Sequence, residues 1–154
     1  MATTIVTGVD PSQTALVAAE KAAALADGLD ATLHVICGYS VSMSETMHTL
    51  QRTNNPSTYH QLVTRQADSA QGTADAVAEA LRGMFPELEV VASAVEGAPA
   101  DVLTSEADRL NAEIIVVGNK GVQGPARLLG SIARTVATET NCDLYIVNTL
   151  PRRN

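Results

Sequence analysis

The chain has 154 residues, 45% of them apolar, and a formal net charge of −7. This length and composition predict one globular domain, and the acidic balance disfavours partners such as nucleic acid or anionic membranes, whose binding depends on clustered Lys and Arg. The N-terminus has no basic segment, and no run approaches the ~18 apolar residues that a membrane helix needs, so we expect a cytoplasmic protein.

Five short runs rich in β-branched residues predict strands that are buried on both faces. In chain order they span residues 4–10, 31–36, 89–95, 113–118 and 143–148. Apolar residues at helical spacing occupy the gaps, with Ser12 as the N-cap and Gly28 as the end of the first helix. This alternation predicts an α/β fold, which we interpret as a doubly wound, five-stranded parallel sheet of order 3-2-1-4-5 with helices on both faces.

One segment, residues 38–65, interrupts the alternation because it is polar and contains the helix-breaking run Asn54-Asn55-Pro56. We interpret it as a long, mobile insertion with a helical turn or two, inside a single domain that spans residues 1–154. The helix that follows is predicted from residue 67 onward.

Four glycines lie between the fourth strand and the last helix, in the pattern G-x2-G-x8-G-S that begins at Gly118 and ends at Gly130 and Ser131. Glycine allows a ligand to approach the backbone closely, and a helix start with Ser131 as N-cap attracts anions. The segment therefore predicts either a phosphate-binding cradle or a flexible connection with a Gly-Ser cap. It matches neither the P-loop pattern nor the dinucleotide fingerprint.

Asp10 follows the first strand directly, in "GVDPS". If strands one and four are neighbours, Asp10 and Gly118 face each other across the crevice where the strand order reverses, which is where such sheets bind ligands. A carboxylate there can accept hydrogen bonds from a ribose or an adenine amino group. The alternative is that Asp10 only stabilises the turn before Pro11.

Three segments resemble the universal stress protein family: "TIVTGVDPSQTALVAAEKAAALA", "VEGAPADVLTSEADRLNAEIIVVGNKG" and "LLGSIARTVATETNCDLYIVN". The glycine motif resembles that of the ATP-binding branch, although eight residues separate its second and third glycines where the family has nine. The resemblance implies an adenine nucleotide as ligand, with ATP preferred over ADP, AMP or cyclic AMP, and with Mg²⁺ accompanying ATP. The shorter motif favours a nucleotide with fewer phosphates than ATP.

The resemblance also implies roles for individual residues. The nucleoside would contact Asp10 and the backbone near Val35 and Ile36. Ribose and phosphates would be held by Gly118, Gly121, Gly130 and Ser131, with a backbone N–H from Ile132. Arg127, which lies inside the glycine segment, is a candidate to meet a β- or γ-phosphate.

No catalytic or metal-binding motif is present, and His34 in the second strand is interpreted as a half-buried histidine rather than a catalyst. We therefore predict a regulatory protein that acts through binding and not as an enzyme. The last strand should be a sheet edge, and the resemblance implies a homodimer formed through Leu144 to Asn148; the alternative is that the terminal residues 151–154 shield this edge. The alternative function is an interaction protein of the same fold that binds no nucleotide.

Overall fold

The structure is a computed structural model that describes residues 2–41, 43–53, 56–119 and 130–150. Strands and helices alternate through the described residues. The strands are β1 (Thr4–Gly8), β2 (Thr32–Tyr39), β3 (Val90–Glu96), β4 (Ile114–Gly118) and β5 (Asp143–Val147). The helices are α1 (Gln13–Gly28), α2 (Met43–Thr53), α3 (Pro56–Met84), α4 (Pro99–Leu110) and α5 (Ser131–Glu139).

The five strands form one parallel sheet of order β3-β2-β1-β4-β5, which confirms the predicted topology. The strand order reverses between β1 and β4, because the chain moves outward from β1 to β3 and then crosses back to β4. In the register, Gly8 at the end of β1 lies opposite Ile36 of β2. The carboxyl ends of β1, β2 and β4 therefore lie at the same edge of the sheet.

Apolar side chains pack on both faces of this sheet, as the nearly continuous apolar strands predict. On one face α1 and α3 cover the sheet, and α1 contributes five alanines that allow a close approach: Ala18, Ala19, Ala22, Ala23 and Ala26. On the other face α4 and α5 pack against Val6, Ile115 and Val117. Thr7 is fully buried, and its hydroxyl donates to the carbonyl of Val116 at 3.0 Å, so this polar group is satisfied inside the core.

The interpretation of residues 38–65 as mostly loop is wrong. The segment contains the 11-residue helix α2, and α3 begins at Pro56 instead of near residue 67. Proline is favourable in the first turn of a helix, where its missing N–H costs nothing. Tyr59, Val63 and Ala67 then continue the half-buried face of α3 toward its start. The mobility of the segment stays a prediction.

Within the described residues, no helix combines the length and the apolar character that crossing a membrane requires.

Candidate functional site

A cavity of about 380 Å³ opens at the carboxyl ends of β1, β2 and β4, at the point where the strand order reverses. The turn from β1 to α1, the end of β2 and the first turns of α4 and α5 complete its lining. This is the usual ligand position in doubly wound sheets. The volume falls within the range of roughly 300–1,000 Å³ that is typical of small-molecule sites.

Apolar side chains line the cavity on both sides of the sheet end. Ile36, Leu103 and Val117 belong to the core on the α4 side, and Val9 and Ala18 belong to the core on the α1 side. Leu103 of α4 packs directly on the end of β1, where a Cβ on Gly8 would lie 3.1 Å from the terminal carbons of the leucine. A side chain at residue 8 would require the end of the Leu103 side chain to shift. The glycine therefore allows Leu103 to pack closely on the end of β1, beside the cavity.

Asp10 lines the cavity and also stabilises the turn into α1. Its Oδ1 accepts a hydrogen bond from the N–H of Ser12 at 2.8 Å, and the Ser12 hydroxyl accepts one from the N–H of Ala15 at 3.2 Å. The N-cap prediction for Ser12 is thus confirmed. Asp10 stabilises the turn, and its contact with a nucleoside stays a prediction. Among the described lining residues, Asp10 is the one with a titratable side chain.

Three helices begin at the cavity, and their first turns differ. Helix α1 has the Ser12 cap, and α4 begins with Pro99, which has no N–H to satisfy. Helix α5 has Gly130 as its N-cap and no side-chain hydrogen bond there, so the prediction of Ser131 as N-cap is wrong and Ser131 is the first helical residue. No described side chain caps the N–H groups at the start of α5, and the helix dipole there favours an anion.

A family model described as the universal stress protein family matches residues 1–148. The chain belongs to the universal stress protein family. Curated universal stress proteins from two strains of Mycobacterium tuberculosis are 43% identical to it over 56 residues, which is 36% of this chain. The matched segment spans only 38% of the length of these relatives.

Solved universal stress proteins share the fold along nearly the whole chain. One that was crystallised in complex with cAMP is 28% identical, with a TM-score of 0.64 over 96% of this chain and 98% of its own. UspA from Lactobacillus plantarum is 19% identical, with a TM-score of 0.72 over 95% and 97% of the two chains. A universal stress protein from Archaeoglobus fulgidus in complex with dAMP is also 19% identical, with a TM-score of 0.63 over 94% and 96%.

The cavity of this universal stress protein brings together most of the residues that the sequence indicated. Those that line it are Asp10, Ile36, Gly118, Gly130, Ser131 and Ile132. Val35 does not line it, because its side chain is fully buried on the opposite face of the sheet, against α1 and α3. Gly121 and Arg127 lie outside the described residues, so their predicted roles stay predictions.

Gly38 lines the cavity but was not predicted from the sequence. The last bond between β1 and β2 runs from the N–H of Val9 to the carbonyl of Ile36, at 2.9 Å. Since alternate residues of a strand direct their backbone groups to the same side, Gly38 is the next β2 residue whose N–H and C=O face the β1 side. The signal was a glycine near the end of three neighbouring strands, at residues 8, 38 and 118.

His34 lies outside the cavity and is half-buried, as predicted. Burial lowers its pKa from 6.5, and the nearby Arg109 lowers it further, whereas Glu106 and Glu89 act in the opposite direction. Arg109 forms an ion pair with the buried Glu106 at 2.6 Å, so this carboxylate is compensated. The charged groups near His34 thus form a structural ion pair, and their arrangement does not indicate a catalytic role for the histidine.

Proposed function

We propose that this universal stress protein binds an adenine nucleotide in the cavity between β1 and β4 and acts through binding rather than turnover. The observation that carries the proposal is that one cavity joins apolar side chains, the Asp10 carboxylate and the N-terminus of α5. Support comes from the relatives crystallised with cAMP and with dAMP. Its proposed cytoplasmic location stays a prediction.

The chemistry of the cavity suggests how the nucleotide would be oriented. The adenine ring suits the apolar part beside Ile36 and Leu103, where the backbone groups of Gly38 can bond its edge. The ribose hydroxyls suit Asp10, because a carboxylate accepts strong hydrogen bonds from hydroxyl groups. The phosphate suits the start of α5 at Gly130 and Ser131, where N–H groups and the helix dipole favour negative charge.

The number of phosphates follows from the charge of the lining. The described lining residues carry one carboxylate and no Lys or Arg, and a helix start supplies only about half a positive charge. We therefore expect a nucleotide with one phosphate group, such as cyclic AMP or AMP, to bind at least as tightly as ATP. Tight binding of ATP would need more positive charge, for which Arg127 and Mg²⁺ are the candidates.

Titration calorimetry with cyclic AMP, AMP and ATP, with and without Mg²⁺, tests this ranking. Arg127→Ala should weaken the binding of ATP and leave cyclic AMP unaffected if Arg127 meets a distal phosphate. A strong preference for ATP that Arg127→Ala does not reduce would contradict the charge argument.

The site itself is tested by Asp10→Ala and Gly130→Val. We expect each to weaken the binding of cyclic AMP by about tenfold or more, which is ~1.4 kcal/mol. Asp10→Asn separates the two roles of the carboxylate, because the amide oxygen can still accept from Ser12 while the charge is lost. Asp68→Ala, an exposed carboxylate on α3, is the matched control. Unchanged affinity in both Asp10→Ala and Gly130→Val, with thermal unfolding intact, would refute the site.

We also propose that the protein forms a homodimer through β5. This strand is an edge of the sheet, and no side chain among the described residues bonds the outward-facing backbone groups of Leu144 and Ile146. Two copies can pair these groups across a twofold axis. Sedimentation equilibrium measures the dimer directly.

The alternative function, an interaction protein without a nucleotide, is distinguished by equilibrium dialysis. If no adenine nucleotide binds at millimolar concentration while the dimer persists, the open β5 edge favours that alternative.

A further inference from the structure

Given the proposed nucleotide site, on which this inference rests, we propose that Asn119 is a positioning residue for the ligand. Asn119 follows the lining residue Gly118 and forms hydrogen bonds to the chain that follows β5. Through these bonds, ligand binding and the ordering of Asn148–Leu150 should stabilise each other.

The side chain of Asn119 makes three hydrogen bonds, all to residues that follow β5. Its Oδ1 accepts from the N–H of Thr149 at 2.9 Å and from the Thr149 hydroxyl at 2.6 Å. Its Nδ2 donates to Oδ1 of Asn148 at 2.9 Å, and that oxygen also accepts from the N–H of Leu150 at 3.2 Å. The backbone N–H of Asn119 donates to the carbonyl of Val147 at 3.0 Å. Backbone and side chain together hold Asn119 against three consecutive residues, Val147 to Thr149.

The same segment touches the cavity lining. A Cβ on Gly118 would lie 3.2 Å from Cγ2 of Thr149, so the methyl group of Thr149 packs directly against a residue that lines the cavity. Moving Asn148–Leu150 would therefore disturb both the side chain of Asn119 and the packing over Gly118. The residues that follow β5 are therefore packed directly against Gly118 and Asn119 at the proposed site.

Gly118 lines the cavity, and Asn119 follows it directly in the chain. A ligand that contacts the backbone of Gly118 needs that backbone in one position, which costs conformational entropy. The cost is smaller when the bonds of Asn119 and the packing of Thr149 already hold Gly118 in place. The nucleotide should therefore bind more tightly when the Asn119 bonds are made. Linkage then requires the nucleotide to stabilise those bonds by the same factor.

Two substitutions test the affinity half of this statement. Asn119→Ala removes the three side-chain bonds and leaves the backbone bond to Val147, and we expect it to raise the Kd for cyclic AMP at least about fivefold. Thr149→Val keeps the methyl contact with Gly118 and the backbone N–H but loses the hydroxyl, so its effect should be smaller. Asn141→Ala, at the opposite end of β5, is the matched control and should leave the Kd unchanged.

Amide hydrogen exchange tests the reciprocal half. In the unaltered protein, saturating cyclic AMP should slow hydrogen exchange at the N–H of Thr149. Linkage requires the slowing to be about as large as the increase in the Kd for cyclic AMP that Asn119→Ala causes. In Asn119→Ala the nucleotide should no longer affect this amide. A residue that served stability alone would lower the unfolding temperature without making Thr149 exchange respond to the nucleotide.

The outcomes separate the two proposals. If the unaltered protein binds neither cyclic AMP, AMP nor ATP, the proposed function fails and this inference fails with it. If cyclic AMP binds but exchange at Thr149 is unchanged, or if Asn119→Ala binds it with unaltered affinity, only the role of Asn119 is overturned.

Discussion

The two edges of the sheet, β3 and β5, differ in how their outward-facing backbone groups are satisfied. On β3, Arg82 of α3 donates to the carbonyl of Val90 at 2.6 Å. Gln71 donates to the carbonyl of Ala92 at 3.3 Å and accepts from the N–H of Ala94 at 3.1 Å. Side chains of α3 thus occupy the groups with which another strand would pair.

No described side chain does this for β5. The backbone groups of Leu144 and Ile146 face away from β4, because Asp143 and Val147 bond to that strand. Tyr145 beside them is 40% exposed, and Leu150 is 56% exposed. An edge that no described residue pairs, flanked by exposed apolar side chains, suits the addition of another strand.

The difference follows from the lengths of the helices. Helix α3 has 29 residues and reaches along β3, whereas α5 has nine and packs on one face of the sheet. A long helix beside an edge brings polar side chains within reach of the strand backbone. The contrast supports the proposal that self-association uses the β5 edge, because side chains of α3 cover the β3 edge.

The largest expected effect is on the β5 edge. Ile146→Pro removes an outward-facing N–H, and we expect it to weaken the proposed dimer by about 2–6 kcal/mol, because each unsatisfied buried group costs about 1–3 kcal/mol and the twofold axis includes the change twice. Ala94→Pro is the matched change on β3 and should leave the dimer intact. Sedimentation equilibrium measures both, with circular dichroism to verify folding. Dissociation by Ala94→Pro, with Ile146→Pro still dimeric, would reverse the assignment of the two edges.

A smaller loss of stability is expected when the α3 side chain that bonds the outer edge of β3 is removed. Gln71→Ala leaves the carbonyl of Ala92 and the N–H of Ala94 without their partner, so we expect about 1–2 kcal/mol less stability in urea unfolding. It should also produce association beyond the dimer, visible in light scattering. Gln71→Glu keeps the acceptor for Ala94 and adds a charge that opposes strand pairing, so it should lose stability but not associate. If Gln71→Ala remains no larger than the unaltered protein at every concentration, α3 does not protect this edge.

The smallest expected effect is on the pH dependence of stability. It concerns His34 of β2, which lies opposite Val91 of the edge strand β3. Burial, and then Arg109, lower the pKa of His34 from 6.5, so between the folded pKa and 6.5 the unfolded chain binds the proton more readily. The contribution to stability is therefore complete above pH 6.5 and is lost as the pH falls through the folded pKa. Denaturant unfolding as a function of pH should show this decline, and His34→Gln should flatten it. His60→Gln, at an exposed position, is the control; an equal flattening there would contradict the assignment to His34.

Much of the fold was predictable because it depends on local patterns. Continuous apolar runs predicted all five strands to within a few residues, and Ser12 predicted the start of α1. The helices within residues 38–65 were not predicted, because polar residues and Asn54-Asn55-Pro56 read as a loop although Pro56 begins α3. For the site, Asp10, Gly118 and Gly130 could be identified from their positions at strand and helix ends. The glycine near the end of the second strand was visible in the sequence, but the position of Gly38 beyond the last β1–β2 bond depends on the tertiary structure.

Local patterns in the sequence were sufficient to predict the alternation of strands and helices and the small and acidic residues at the strand ends, because periodicity and backbone preference act over a few neighbouring residues. Which side chains meet across the sheet depends instead on how the elements pack. Gln71 bonds β3 from 21 residues away, and Asn119 bonds Thr149 across 30. Such contacts depend on helix length and strand register, which are set when the whole core packs.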